Sequence, residues 1–138
     1  MIVVADTNVV VRAVFTKDTP EQSMEVFALL KKADAFIVTT VSFCEAVWVF
    51  EYVYKLEQEY VLKMLRRILE IENIIADFDA VRAGLQMLED GGDFADGVIQ
   101  HLGFRMAGGR EAAFASFDRK AAKRLARRGV ATIIPGKA

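Results

Sequence analysis

The sequence predicts an α/β fold built on an open, mostly parallel sheet of about five strands with helices on both faces. Short β-branched runs alternate with longer amphipathic stretches, which is typical of βαβ units because parallel strands need crossover helices. The chain has 138 residues, of which 54% are hydrophobic and 27% are charged, as in one packed globular domain. We therefore expect a single domain over residues 1–138.

The first half of the chain is expected to hold three strands separated by helices. A β-branched run from Ile2 ends in Asp6-Thr7-Asn8, residues that favour turns and helix caps. Pro20 marks the start of an amphipathic helix, because its ring fits the first helical turn. The elements predicted here are strands over 2–5, 35–40 and 73–76 and helices over 9–15, 20–32, 41–54 and 57–71.

The second half is expected to hold three helices and two strands. Gly91 and Gly92 end one helix, Asp93 opens the next, and Gly129 ends a strongly basic one. The predicted elements are helices over 79–89, 93–106 and 118–128 and strands over 112–117 and 131–134.

Composition excludes several classes of protein and site. No apolar run reaches the roughly 18 residues that a membrane-spanning helix needs. The single cysteine, Cys44, cannot form an internal disulfide, and the first residues lack the basic region of a signal peptide, so we expect a cytoplasmic protein. One histidine, His101, and one cysteine are too few for a zinc site of the usual kind. Any catalysis must therefore rest on carboxylates.

Charge is divided unevenly along the chain. Residues 1–109 carry 10 Lys and Arg against 17 Asp and Glu, a net charge of −7, whereas residues 110–138 carry 8 against 2, a net charge of +6. The basic residues of the last helix have helical spacing, for which a solvated face is the ordinary interpretation. Their position beside Asp118 favours contact with an RNA backbone through Arg119, Lys120 and Lys123.

Five carboxylates occupy equivalent places in the predicted fold, just after a strand or early in a helix: Asp6, Glu45, Asp93, Asp96 and Asp118. Open parallel sheets carry their active crevice at the carboxyl ends of the strands, so all five can face one crevice. Like charges brought together repel one another, and a bound cation removes that repulsion. Oxygen ligands without imidazole or thiolate indicate Mg²⁺ or Mn²⁺, ions that promote hydrolysis of phosphodiesters.

Each acid also has a purely structural interpretation. Asp6 and Asp118 can cap the helices that follow them, and Asp93–Asp96 can combine a cap with an acid at the positive end of the helix dipole. Ser42 and Glu45 have the spacing of a capping box. Position alone does not decide between the two interpretations.

The remaining candidates carry less weight. His101 is expected to be a packing or surface residue and Cys44 a small buried one. Ser116 is either a donor near the metal or a plain strand hydroxyl. The aromatic residues of the 41–54 helix are expected to be mostly core, with some left for a dimer contact; they are Phe43, Trp48, Phe50, Tyr52 and Tyr54.

The order of these segments resembles the PIN-domain family and, within it, the VapC-type toxin ribonucleases of toxin–antitoxin systems. The likeness covers essentially the whole chain and rests on Val-Ala-Asp6-Thr-Asn8, Glu45, Asp93-Phe-Ala-Asp96 and Ser116-Phe-Asp118-Arg-Lys120. It implies a three-layer α/β/α fold, a Mg²⁺- or Mn²⁺-dependent endoribonuclease, a homodimer, and an antitoxin partner that blocks the site.

The resemblance also implies roles for individual residues. The positions that match the family's acidic quartet are Asp6, Glu45, Asp96 and Asp118. Asp6 and Asp96 are then expected to bind the metal directly or through water, with the other two closing the pocket. Asp93 matches an additional acid found in many members, and the polar positions near the metal are matched by Thr7, Asn8 and Ser116.

Two other classes of function fit part of the pattern. A haloacid-dehalogenase-type phosphatase or a receiver domain also places an Asp after its first strand. The phosphatase needs a second Asp where this chain has Asn8, and the receiver needs an acidic pair at the end of its first strand. The other class is a catalytically silent RNA-binding or scaffold domain, against which the intact acids argue.

Overall fold

The computed structural model describes residues 1–137, which divide into one unit from Met1 to Phe78 and a second from Asp79 onward. Ala138, the last residue of the predicted single domain, lies outside the described residues. A single domain over 1–138 stays a prediction.

The first unit contains a three-stranded parallel sheet in the order β1-β2-β3. Its strands are β1 (Ile2–Val4), β2 (Ala35–Ile37) and β3 (Ile74–Ile75). Phe36 of the central strand pairs with Val3 on one side and Ile74 on the other, and its side chain is fully buried. The middle of the sheet is therefore covered on the face that Phe36 occupies, as expected for parallel strands.

Four α-helices and one π-helical turn complete the first unit. They are α1 (Thr7–Val14), α2 (Pro20–Lys32), α3 (Thr40–Trp48) continued by the π-helical turn Val49–Val53, and α4 (Gln58–Leu69). Helix α1 packs against α2, α3 and α4. It does so through Val10, Val11 and Val14, whose spacing places them on one buried face.

The second unit holds three helices and a two-stranded parallel sheet. Its elements are α5 (Phe78–Glu89), whose first residue is the last of the first unit, α6 (Phe94–Ala107), β4 (Phe114–Ala115), α7 (Arg119–Arg127) and β5 (Thr132–Ile133). Met87, Phe114 and Leu125 form a buried apolar cluster in which α5, β4 and α7 meet. Helices α5 and α6 approach closely at Gly97, where a Cβ atom would lie 2.4 Å from the carbonyl oxygen of Ala83.

The predicted fold class is confirmed, since parallel strands alternate with helices in an α/β arrangement. The strands are one to four residues shorter than predicted, and they form sheets of three and two strands. No helix within residues 1–137 is long and apolar enough to cross a membrane.

The expectation that the aromatic helix is mostly core is only half right. Phe43 and Phe50 are fully buried, but Trp48 and Tyr52 are 57% and 61% exposed. Their ring centroids lie 5.6 Å apart on the outer side of the helix. Cys44 is half-buried and not fully buried as expected.

Candidate functional site

Asp6 lies directly after the first strand of the sheet. The preceding residue, Ala5, donates its N–H to the carbonyl of Ile37 over 2.9 Å and extends the pairing of β1 with β2. Asp6 has the backbone conformation of an N-cap, and its carbonyl accepts from the N–H groups of Val9 and Val10. Its side chain makes no capping hydrogen bond. Asp6 is therefore the N-cap of α1 through its backbone only, and its exposed carboxylate is available to bind a ligand.

The two polar residues after Asp6 have different surroundings. Thr7 is buried in the first turn of α1, whereas Asn8 is exposed. Asn8, Arg12 and Gln22 line a cavity of about 490 Å³ next to α1 and α2.

The capping-box interpretation of Glu45 is wrong. The N-cap of α3 is Thr39, whose hydroxyl oxygen accepts from the N–H of Ser42 over 3.2 Å. The helix therefore begins at Thr40, and Glu45 lies in its second turn, beyond the free N–H groups that a capping box serves. The exposed carboxylate of Glu45 has no capping role, which removes the structural alternative that the spacing favoured.

In the second unit, two of the acids act as helix caps. Asp93 accepts from the N–H of Ala95 over 2.8 Å at the start of α6. Asp118 caps α7, with one oxygen accepting from the N–H groups of Lys120 and Ala121 over 3.0 and 3.2 Å. Ser116 in turn accepts from the N–H of Asp118 over 3.0 Å. Ser116 therefore supports the turn that presents Asp118, and each cap uses one of its two carboxylate oxygens.

Asp96 is a partly buried acid with other carboxylates nearby. It is half-buried in the first turn of α6. Burial raises the pKa of Asp96, and the negative charges of Asp93 and Asp118 raise it further, while Arg124 acts in the opposite direction. The three acids of this unit are thus close enough to repel one another, with Asp93 and Asp96 at the start of α6 and Asp118 at the start of α7.

The chemistry of these donors fits a divalent cation. A cation beside Asp96 would relieve both the repulsion and the cost of burial. Over residues 1–137, neither unit by itself gathers three His, Cys, Asp or Glu side chains into a metal-binding group. Mg²⁺ does not need such a group, because it usually binds one or two carboxylates and completes its shell with water and phosphate oxygens.

Sequence reasoning missed the special position of Arg124. Its Nε donates to the carbonyl of Asp90 over 3.2 Å, and its Cδ atom lies where it would contact a side chain at Gly92. One turn later, Nε and Nη2 of Arg128 bind Oδ2 of Asp90 over 2.9 and 2.8 Å. Helix α7 is thereby fixed to the turn that leads into Asp93. The four-residue spacing of the two arginines is the only sequence signal for this contact.

The other basic residues predicted to contact RNA are Arg119, Lys120 and Lys123. All three are exposed on α7, the helix that Asp118 caps. His101 is half-buried on α6, and its Nε2 atom lies 3.2 Å from Nη2 of Arg105.

The chain is similar to a known protein family over most of its length. The family model described as PIN domain matches residues 3–128. No curated protein and no solved structure matches the chain.

Proposed function

The chain belongs to the PIN-domain family, and from this premise we propose that it is a metal-dependent endoribonuclease that hydrolyses RNA phosphodiester bonds. PIN domains are generally metal-dependent nucleases. The observation that carries the proposal is the half-buried Asp96, whose pKa is raised by burial and by the two neighbouring carboxylates. Such a group is unfavourable without a cation, and perturbed pKa values of this kind concentrate at functional sites.

The proposed roles of the acids are those that the resemblance to the family implies. Asp6 and Asp96 bind the metal directly or through water, and Glu45 and Asp118 complete the acidic pocket. Asp93 is a further acid of the pocket; one of its carboxylate oxygens accepts the capping hydrogen bond, and in this proposal the other is used for the metal. The polar residues close to the metal in this proposal are Thr7, Asn8 and Ser116.

The proposed ion is Mg²⁺ or Mn²⁺. When bound, it supplies a positive charge for phosphate oxygens and lowers the pKa of a water molecule. The protein residues have the tasks of holding the ion and keeping the phosphate in line. One carboxylate accepts the proton of the attacking water, and the exposed Arg119, Lys120 and Lys123 hold the RNA backbone.

We further propose that this ribonuclease is the VapC-type toxin of a toxin–antitoxin pair. Support comes from the order of its acidic segments over the whole chain. In this proposal the protein is a cytoplasmic homodimer whose activity a cognate antitoxin blocks. Expression of the chain alone should arrest cell growth, and the Asp96→Asn variant should not; growth unaffected by the active enzyme would argue against the toxin role.

The activity is tested by incubating the purified protein with total cellular RNA, with EDTA, Mg²⁺ or Mn²⁺, and mapping new 5′ ends. We expect discrete cleavage with the metal and none with EDTA. Asp96→Asn should abolish it, whereas Asp79→Asn, which changes an exposed acid paired with Arg82, should retain it. RNA binding without cleavage under either metal would instead support the silent binding domain.

A further inference from the structure

The second unit contains a cavity of about 270 Å³ between α5, α6 and α7. Its polar lining comes from one or two residues on each helix: Gln86, Gln100, His101, Arg124 and Arg128. Its apolar lining includes Met87 and Leu125, both buried in the apolar cluster of this unit. Apolar walls lower the local dielectric constant and so strengthen the attraction between the arginines and an anion.

The two arginines of the cavity are not equivalent. Arg128 is neutralised, because both its Nε and Nη2 atoms bind the carboxylate of Asp90. Arg124 contacts Asp90 only through a neutral carbonyl, using Nε. A guanidinium has five N–H donors, so the Nη groups of Arg124 remain for a ligand while Nε fixes the plane of the group.

Arg124 also differs from the other basic residues of α7. Arg119, Lys120 and Lys123 are exposed, whereas Arg124 is half-buried. A partly buried guanidinium that is already held in place loses less side-chain entropy when it binds an anion. The cavity therefore presents a preorganised positive charge.

The position of the cavity relates it to the proposed catalytic acids. Gly97, the residue after Asp96, lines the cavity. The positive charge of Arg124 acts on Asp96 as well, since it lowers the pKa that burial and the neighbouring carboxylates raise. The charged residues of its lining are the two arginines. An anion can thus enter beside the acidic cluster without facing a carboxylate in the cavity wall.

We propose that this cavity binds a phosphate of the RNA strand next to the cleaved bond, with Arg124 as the main donor and Gln100 as a neutral partner. The inference rests on the proposed ribonuclease function and adds a subsite to it. A guanidinium matches phosphate geometry through two parallel N–H bonds, which a lysine cannot form. This subsite positions the substrate and takes no part in the chemical step.

The test measures binding of a short fluorescent single-stranded RNA by anisotropy in EDTA, so that neither metal nor cleavage is required. The variants are Arg124→Gln, which removes the charge, and Gln100→Glu, which adds a carboxylate of the same size to the cavity wall. Arg127→Gln is the matched control, since it removes a charge from an exposed position of the same helix.

We expect Arg124→Gln and Gln100→Glu each to weaken RNA binding by about tenfold or more, which corresponds to one charge-assisted hydrogen bond. Arg127→Gln should weaken it by less than about threefold. The slope of log affinity against log salt should fall by about 0.7 in Arg124→Gln, because one phosphate contact is lost. A merely structural role for Arg124 would not change this slope selectively.

Three results would overturn the subsite. The first is an equal loss of affinity in Arg124→Gln and Arg127→Gln. The second is unchanged affinity in Gln100→Glu, a variant that still tests the subsite if Arg124→Gln folds poorly. The third is absence of any RNA binding by the wild-type protein. Wild-type binding that depends on Arg124, together with no cleavage under Mg²⁺ or Mn²⁺, would refute the proposed ribonuclease and leave the phosphate subsite standing.

Discussion

Single residues at the site work against the stability of the fold, and Asp96 is the clearest case. Its carboxylate is half-buried near Asp93 and Asp118, so its pKa is raised above 3.8, the ordinary value. A carboxyl with a raised folded-state pKa holds its proton longer in the folded protein than in the unfolded chain. Stability therefore falls as pH rises through this window, and at neutral pH the ionised Asp96 opposes folding.

We predict that Asp96→Asn raises the thermal unfolding midpoint of the metal-free protein at pH 7, because asparagine has no charge to bury. The gain should disappear well below pH 3.8, where Asp96 is protonated in both the folded and the unfolded state. Thermal unfolding followed by circular dichroism in EDTA measures both effects. A lower midpoint for the variant at pH 7 would contradict the electrostatic account of this acid.

The cap of α3 gives a second prediction at the scale of one residue. Thr39 is exposed; its hydroxyl accepts from the N–H of Ser42 and donates to the hydroxyl of Ser42, so its replacement by alanine removes two hydrogen bonds and very little packing. Thr39→Ala should lower the free energy of unfolding by about 1 kcal/mol, while Thr39→Ser should keep most of the stability that the cap provides. Urea denaturation compares the three proteins, and equal stability of Thr39→Ala and wild type would show that the cap contributes nothing.

At the scale of elements, the sequence was sufficient to predict each strand and each α-helix, but not the π-helical turn Val49–Val53, which was predicted as part of one helix over 41–54. The spacing of apolar residues and the residues that begin and end helices were clear signals. Helix α2, for example, begins at Pro20 and ends at Lys32 as predicted. The strands were predicted too long because strand-type residues continue past the end of pairing. Thr39 is extended, but it caps a helix and pairs with no neighbouring strand, and this also explains the misplaced capping box at Glu45.

Features that depend on packing between elements were not predictable from local patterns. The half-burial of Asp96 and the separation of Arg124 from the other basic residues arise where α5, α6 and α7 meet. Likewise, a helix with aromatic residues at several spacings does not reveal which of them face outward. Trp48 and Tyr52 are exposed because α1 and α4 cover the other side of that helix.

Two glycines of α6 give a prediction about element packing. A Cβ atom at Gly97 would lie 2.4 Å from the carbonyl oxygen of Ala83 on α5, so Gly97→Ala must move backbone and should cost about 1 to 3 kcal/mol. At Gly103 no atom lies within 4 Å of the added Cβ, so Gly103→Ala should gain about 0.5 to 1 kcal/mol from helix propensity. Chemical denaturation of both variants tests the contrast, and a tolerated Gly97→Ala would show that α6 can shift away from α5.

At the scale of the whole molecule, charge is distributed unevenly along the sequence, with a negative longer part followed by a positive C-terminal part. Residues 1–109 carry a net charge of −7 and residues 110–138 one of +6. The acids proposed to bind metal belong almost entirely to the negative part, and the basic residues proposed to bind RNA belong to the positive part. A divalent ion neutralises part of the first region and thus favours both folding and the approach of a polyanion.

Metal binding by the native protein should therefore appear in global stability. An ion that binds only the folded state adds RT ln(1 + [L]/Kd), which is about 2.7 kcal/mol at one hundred times its Kd. We predict that millimolar Mn²⁺ raises the thermal unfolding midpoint of the wild type and of Asp79→Asn, and leaves that of Asp96→Asn unchanged. Differential scanning calorimetry at constant ionic strength separates specific binding from screening. An equal rise in all three proteins would mean that Mn²⁺ binds away from Asp96, because only a site that includes this carboxylate loses its stabilising effect when Asp96 becomes neutral.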